Sequence, residues 1–235
     1  MSAEQLAARI LSETAEIPSE QIRRGDMTEN EFRRFVEAAK SIQNAPLFID
    51  DTPALNIAQL ASRARRLKRT HGLDALIIDY LQLVRAASNR ESRVNEISEI
   101  TQGLKAIAKE LNIPVIALSQ LSRMVEGRTS KRPLLSDLRE SGAIEQDADI
   151  VSFIYRPEYY NIDTWDDNER SSTEGEAEFI VSKHRNGGLG NIRLRFISTL
   201  AKFEDIEQYD SPYEFHSKMN AAANDDTFKS DTENM

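Results

Sequence analysis

The stretch ALIIDYLQLV, residues 75–84, decides how the whole chain is read. Ala75 to Ile78 form an apolar run too short for a helix, and they read as a buried strand. A single carboxylate, Asp79, stands where that strand ends. An unpaired acid buried at such a place costs several kcal/mol, so it usually has an assigned task. The familiar task is to hold the magnesium ion of a bound nucleoside triphosphate. That task has a partner, a phosphate loop of the form G-x-x-x-x-G-K-[ST]. No such loop occurs in these 235 residues. Taken alone, Asp79 fits a plainer role equally well, capping the next turn or pairing with a nearby arginine.

Upstream of this strand, Ser2-x-x-Gln5, Thr28-x-x-Glu31 and Asn56-x-x-Gln59 are capping boxes that open three helices. The second helix places Phe32, Phe35, Val36 and Ala39 on one face, and the third stops at Gly72 after a basic run. Between them PLFID, 46–50, reads as a strand. Downstream, residues 91–111 form a long helix with Val94, Ile97, Ile100, Leu104, Ile107 and Leu111 on its apolar face. Pro114 then opens the strand PVIALS, which ends at Ser119-Gln120. A basic, polar loop (RMVEGRTSKRP) leads into a short helical stretch, LRESGAIEQ. DIVSFIY, 149–155, is a strand, and an acidic loop, 156–175, leaves it. Residues 177–183 and 191–197 alternate in polarity around Asn186-Gly187-Gly188 and predict a hairpin.

Apolar strands alternating with helices predict an α/β fold. The expected architecture is a mostly parallel sheet with helices on both faces and an antiparallel hairpin at one edge. Ligands in such folds bind beyond the carboxyl ends of the strands. Asp50, Asp79 and Gln120 all fall at predicted strand ends. Asp50-Asp51 before Thr52-Pro53 reads first as the start of a turn. Gln120 by itself reads as a satisfied loop amide, and Lys183 with Arg185 as a solvated hairpin tip. For Arg139 and Glu140 the plain reading is an intrahelical ion pair worth little.

Composition narrows the classes further. The net charge is −9, but it is unevenly placed. Residues 1–157 balance 22 basic against 22 acidic side chains, while 158–178 hold eight acids and one arginine. Residues 204–235 hold nine acids and two lysines, whereas 179–203 carry Lys183, Arg185, Arg193, Arg195 and Lys202 with no acid. Acidity confined to a loop and a tail leaves phosphate binding open elsewhere. Zero cysteines exclude disulfides and thiolate metal sites. His71, His184 and His216 are scattered without metal spacing, and Ser119 has no triad context. No apolar run reaches the ~18 residues of a membrane span. The start has no secretory pattern, so the expected location is cytoplasmic, with no membrane partner. After about residue 208 the chain is polar and short of core residues, and reads as disordered.

ALIIDYLQL, IPVIALSQL, KRPLLSDLRESGAIEQDAD and VSKHRNGGLG occur in this order at spacings that fit one α/β sheet. With these motifs the chain resembles the bacterial replicative DNA helicases of the DnaB type, specifically their RecA-like motor domain. The resemblance runs from Met1 to about Phe203, and SDLRESGAIEQDAD is highly specific to it. Residues 1–203 are thus expected to be a partial motor domain and 204–235 an acidic tail. The resemblance implies ATP and Mg²⁺ as cofactors. It implies that Asp79 holds the Mg²⁺ water shell between the β- and γ-phosphates, and that Gln120 senses the γ-phosphate. Arg139, Glu140 and Gly142 match the loop that follows the single-stranded DNA backbone, where glycine lets main-chain N–H groups come close. Lys183 and Arg185 match the pair that one subunit offers to its neighbour's γ-phosphate. The implied assembly is a hexameric homo-oligomeric ring that meets primase and a helicase loader.

The chain also departs from the family's pattern. There, the phosphate loop and its helix come before the segment resembling Met1–Glu13. A strand ending in the glutamate that activates water, a collar domain and a linker also come first. The expectation is therefore a portion of an ATP-driven helicase motor that moves single-stranded DNA 5′ to 3′, with Asp79 as one half of a nucleotide site. Rival readings are a catalytically silent module that docks on intact helicase subunits, or a fragment of another RecA-like ATPase.

Overall fold

Three capping boxes predicted from sequence open three helices, each with its reciprocal pair of side-chain and main-chain bonds. The computed structural model describes residues 2–88, 92–138 and 142–206, and all of these except Ile206 lie within one unit. Helices α1 (Ala3–Ala15), α2 (Ser19–Arg24) and α3 (Glu29–Asn44) pack on one another around Ala15, Ile17 and Ala38. Ser12 is fully buried there, and its hydroxyl donates to the Ile17 carbonyl at 2.6 Å. The short α2 was not foreseen, and Phe32, expected on the apolar face of α3, is exposed.

The expected strand at 46–50 does not form. Leu47, Phe48 and Ile49 are exposed, and among the described residues no strand runs beside them. A strand draws its stability from a paired edge, which this segment lacks. Asp50 anchors it instead: its carboxylate accepts from the Thr52 amide at 3.1 Å and from Arg63 at 2.5 Å.

Helix α4 (Ile57–Thr70) and helix α5 (Arg93–Leu111) cross over the parallel pair β1 (Leu76–Ile78) and β2 (Val115–Ala117). Ile78, Leu81, Ile97, Ile100, Leu104 and Ile107 form the core of this half. Gly103 on α5 lets the helices approach closely, because a Cβ there would lie 2.4 Å from Ile57 Cγ1. Arg65 grips Glu110 with two bonds, at 2.6 and 2.7 Å, and ties α4 to α5. The period of two along a strand sends Ile77 and Ile116, which are partners in the ladder, to the opposite face. They are 64% and 51% exposed, and among the described residues α4 and α5 pack on the other face of this pair.

The antiparallel part is larger than a hairpin. It comprises β3 (Ile150–Tyr155), β4 (Glu176–His184), β5 (Gly190–Ile197) and β6 (Lys202–Asp205), side by side in chain order. β6 runs two residues beyond the boundary expected at Phe203, because Glu204 and Asp205 pair with Arg195 and Leu194. The expected disordered stretch after about residue 208 lies outside the described residues. Helix α6 (Gly142–Asp147) joins the two halves, with Ile144 packed against both cores.

The acidic loop 156–175 is folded. Thr164 and Ser172 form a β-bridge that carries Trp165 into the core beside Tyr155. The Trp165 indole N–H donates to Glu176 at 2.6 Å, and the Arg193 guanidinium lies 4.6 Å above the ring. Asp167 accepts from the Ser171 hydroxyl at 2.6 Å and from Arg193 at 2.7 Å. Those bonds, Ser171 first and then Arg193, hold its carboxyl well below the usual carboxylate range. A depressed carboxylate stabilises the fold above its unfolded pKa, about 3.9, and that contribution is lost as pH falls through the folded value. Trp165 is the single tryptophan of the chain, so its fluorescence reports on this loop directly. We expect a red shift confined to the range below about pH 4. Asp167→Asn should show the same shift already at neutral pH, and an unshifted spectrum in that variant would dissociate the loop from this carboxylate.

Candidate functional site

The parallel ladder continues one step past its strands. The Leu118 amide donates to the Ile78 carbonyl at 2.9 Å, and the Leu81 amide donates to the Leu118 carbonyl at 2.8 Å. Asp79 and Gln120 therefore stand at the carboxyl ends of two hydrogen-bonded neighbours, where the sequence put them. Asp79 is exposed, joined to Tyr80 by a cis peptide bond, and its carboxylate has no hydrogen bond or ion pair among the described residues. The plain role of a paired or capping acid is thus not what this side chain does here.

Gln120 is held by its main chain. The Gln82 amide nitrogen donates to Ser119 Oγ at 3.0 Å and to the Gln120 carbonyl at 3.1 Å, while Gln82 Oε1 accepts from the Gln120 amide at 3.3 Å. Arg93, in the first turn of α5, donates to the Gln82 carbonyl at 3.0 Å. This clamp leaves the Gln120 side chain exposed and without a hydrogen-bond partner among the described residues. Sequence reasoning missed Gln82. The available signal was a polar amide set between Leu81, which is fully buried, and Leu83, within the motif that carried Asp79.

The basic pair sits at the far end of β4. Lys183 Nζ donates to the Glu145 carbonyl and, at 3.5 Å, to the Gln146 carbonyl, in the last turn of α6. The Arg185 amide donates to the Asp149 carbonyl at 2.8 Å, and its Nη1 lies 3.1 Å from Asp149 Oδ1. Asp149 also binds Lys105 of α5 through Oδ2. Lys105, by hydrogen bond and then by charge, lowers the Asp149 pKa, with smaller help from Arg185 and Lys183. Arg185 is about half exposed and is not a free hairpin tip. His184, between the two, turns its ring against Gly187, where any Cβ would lie 2.3 Å from the imidazole. A side chain at 187 would have to displace that ring.

Gly142 opens α6. Arg139 and Glu140 lie outside the described residues. The segment leading to them is pinned by Asp137, which is buried and accepts from Arg128 at 2.5 Å and from the Leu134 amide at 2.8 Å. Arg132 reaches the buried Glu178 of β4, with Nη1 2.6 Å from Oε2. That approach lacks hydrogen-bond alignment, so it is a charge contact rather than a directed bond. Sequence reasoning assigned none of Arg128, Asp137, Arg132 and Glu178, since a basic loop does not reveal which cations are paired inside. Among the described residues, no group of three or more His, Asp or Glu is arranged to hold a metal ion. No described helix is long and apolar enough to cross a membrane.

Comparison with known proteins matches this arrangement. The model of the DnaB-like helicase C-terminal domain aligns with residues 1–205. The chain belongs to that family. Replicative DNA helicase DnaB of Rickettsia typhi is 55% identical over 219 residues, covering 88% of this chain and 44% of the relative. The Geobacillus stearothermophilus DnaB is 46% identical over 209 residues, again covering 88% and 44%. The chain thus spans less than half the length of these curated relatives. Among solved structures, a DnaB-like replicative helicase described with its primase interactions superposes with a TM-score of 0.80 at 38% identity, covering 88% of this chain and 49% of that one. A separately solved ATPase domain gives the same TM-score and identity, covering 88% and 72%. These neighbours make the α/β fold RecA-like. The family boundary at residue 205 coincides with the end of β6.

Proposed function

We propose that this chain is the part of a replicative helicase motor that carries the metal-side acid, the phosphate-sensing amide and the groups offered across a subunit interface. The observation that carries the reading is the geometry at the ends of β1 and β2. There Asp79 and the Gln120 side chain stand exposed and unpartnered among the described residues, while Gln82 fixes the main chain beneath them. A single unpaired carboxylate suits the water shell of Mg²⁺ bound with a nucleotide, because that ion takes most remaining ligands from phosphates and water. The residues fit Mg-ATP as one side of a site. Bound there, the metal supplies charge neutralisation for the transferring phosphoryl group. Asp79 then orients the shell, and the Gln120 amide donates to a phosphate oxygen without adding charge. Lys183 and Arg185 of one subunit face the phosphate held by the next. Arg139, Glu140 and Gly142 follow the backbone of single-stranded DNA, and hydrolysis around a hexameric ring moves that strand 5′ to 3′. Primase and a loader are the proposed partners, in keeping with the primase interactions described for the similar helicase.

The test joins this chain to the preceding half of a relative and assays forked DNA. Expected results are phosphate release stimulated by single-stranded DNA, and unwinding of forks that offer a 5′ tail for loading. A ring that hydrolyses ATP without unwinding either fork would remove the translocation reading. Binding to single strands should be insensitive to base sequence, since the named residues offer backbone contacts. With about two phosphates neutralised per subunit, the log–log salt slope should be about −1.4. Arg139→Ala should make it shallower by about 0.7, and an unchanged slope would take Arg139 out of the DNA path.

A further inference from the structure

We propose that Asp149 is the positioning residue of Arg185, so that the geometry of the cation offered to a neighbouring subunit is set from α5 through one carboxylate. The inference rests on the reading of Arg185 given above and adds to it the group that holds the arginine in place. Asp149 meets Arg185 twice: its carbonyl accepts from the Arg185 amide at 2.8 Å, and its Oδ1 lies 3.1 Å from Nη1 in a charge contact without hydrogen-bond alignment. The second oxygen, Oδ2, is taken by Lys105. With each oxygen engaged by a different cation, rotation of the carboxylate would break one of the two contacts. Lys105 belongs to α5, the helix that packs against β1 and β2 and whose first turn also steadies Gln82 through Arg93. One rigid helix therefore indexes both the amide clamp beside Asp79 and the arginine that follows β4.

The neighbouring contacts point the same way. Thr101 of α5 donates to Asp147 at 2.6 Å, and Lys183 holds the last carbonyls of α6, so the segment just ahead of Asp149 is fastened from both α5 and β4. The groups around the Asp149 carboxylate are Lys105, by hydrogen bond and charge, and Arg185 and Lys183, by charge alone. Arg185 spends one guanidinium nitrogen on this contact, and its side chain stays about half exposed. A guanidinium has five donors in a fixed fork, so most remain for a phosphate while the Asp149 carboxylate holds one end of the group by charge. A merely stabilising ion pair at this exposure contributes little. An orienting contact acts on rate instead, because small misplacement of a reacting group is expensive in catalysis.

The test uses the full-length ring described above, comparing wild type, Asp149→Asn, Arg185→Ala and the double variant. Asparagine keeps the shape and the main-chain bond and removes the charge. Single-turnover phosphate release, KM for ATP, ring mass and melting temperature are measured for each. We expect Asp149→Asn to lower kcat roughly tenfold with KM within about twofold, the pattern of an interaction made in the transition state. In the Arg185→Ala background the same substitution should cost nothing further, since the group it positions is gone. Asp149→Glu should recover part of the rate. An Asp149→Asn loss that persists undiminished in the Arg185→Ala background marks a structural role and overturns the proposal. So does a wild-type rate in Asp149→Asn when Arg185→Ala is inactive. A wild-type rate in Arg185→Ala overturns both this proposal and the reading of Arg185 on which it rests.

Discussion

Replacing Arg185 by alanine in a ring that carries this chain is expected to lower ATP hydrolysis by ~10³-fold or more, the usual effect of an arginine finger. The loss should be repaired from a neighbouring subunit. Arg185 follows the end of β4, in a different sheet from β1 and β2, tied to Asp149 and about half exposed. A guanidinium so placed is expected to serve a phosphate presented from outside its own strand ends. Mixed rings test this directly. One subunit type carries Arg185→Ala with an intact phosphate loop, and the other has a disabled loop with Arg185 intact. Each alone should be nearly inactive, and mixing should restore part of the activity at junctions where a working loop meets a working finger. Lys183→Ala should behave in the same way from a smaller deficit, because lysine offers a point charge without a fork. Its contacts to the Glu145 and Gln146 carbonyls add a second consequence, a loosened α6. If mass measurements show subunit exchange and activity stays absent, Arg185 acts within its own subunit.

The second large effect is at Asp79. Asp79→Asn in the same ring should reduce ATP turnover by about 10²-fold or more, the scale for removing one preorganised electrostatic group. Its folding stability should stay within about 0.5 kcal/mol of wild type, as for surface positions that make no special contact. The exposed and unpartnered carboxylate predicts this separation of activity from stability. Urea unfolding and phosphate release on the same preparations decide it. A variant that loses both together would return Asp79 to the structural role weighed at the outset. The chain by itself, which carries no G-x-x-x-x-G-K-[ST] segment, should release no measurable phosphate. Turnover near ~1 s⁻¹, an ordinary enzyme rate, abolished by Asp79→Asn would contradict a shared site.

Much of this is legible in the sequence alone. Capping boxes are local: a side chain at one position and an amide three residues on complete the motif, so Ser2, Thr28 and Asn56 announced their helices. The apolar period of α5 and the alternation of β4 and β5 are local as well, and both elements formed where the pattern required. Asp79 and Gln120 were legible as strand-end residues because strand length and ligand position in α/β folds follow from chain geometry. PLFID had the composition of a strand and did not become one, because pairing needs a second edge that composition does not supply. The acidic loop looked like solvated charge, and the structure spends that charge on Ser171, Arg193 and the Trp165 indole.

The sequence by itself therefore determined the long helices, the strands at 75–79 and 114–119, the hairpin, the family likeness and the candidate residues of the site. Each rests on neighbours along the chain or on a motif read as a string. Only the tertiary structure decided which groups meet across it. Gln82 beneath Gln120, Asp149 between Lys105 and Arg185, and Arg132 against Glu178 join residues 36 to 46 positions apart in every pair. Such pairings depend on how α5, α6 and β4 pack together. A side chain's partner is set by the relative placement of whole elements, and burial and register fix that placement only once the chain has folded.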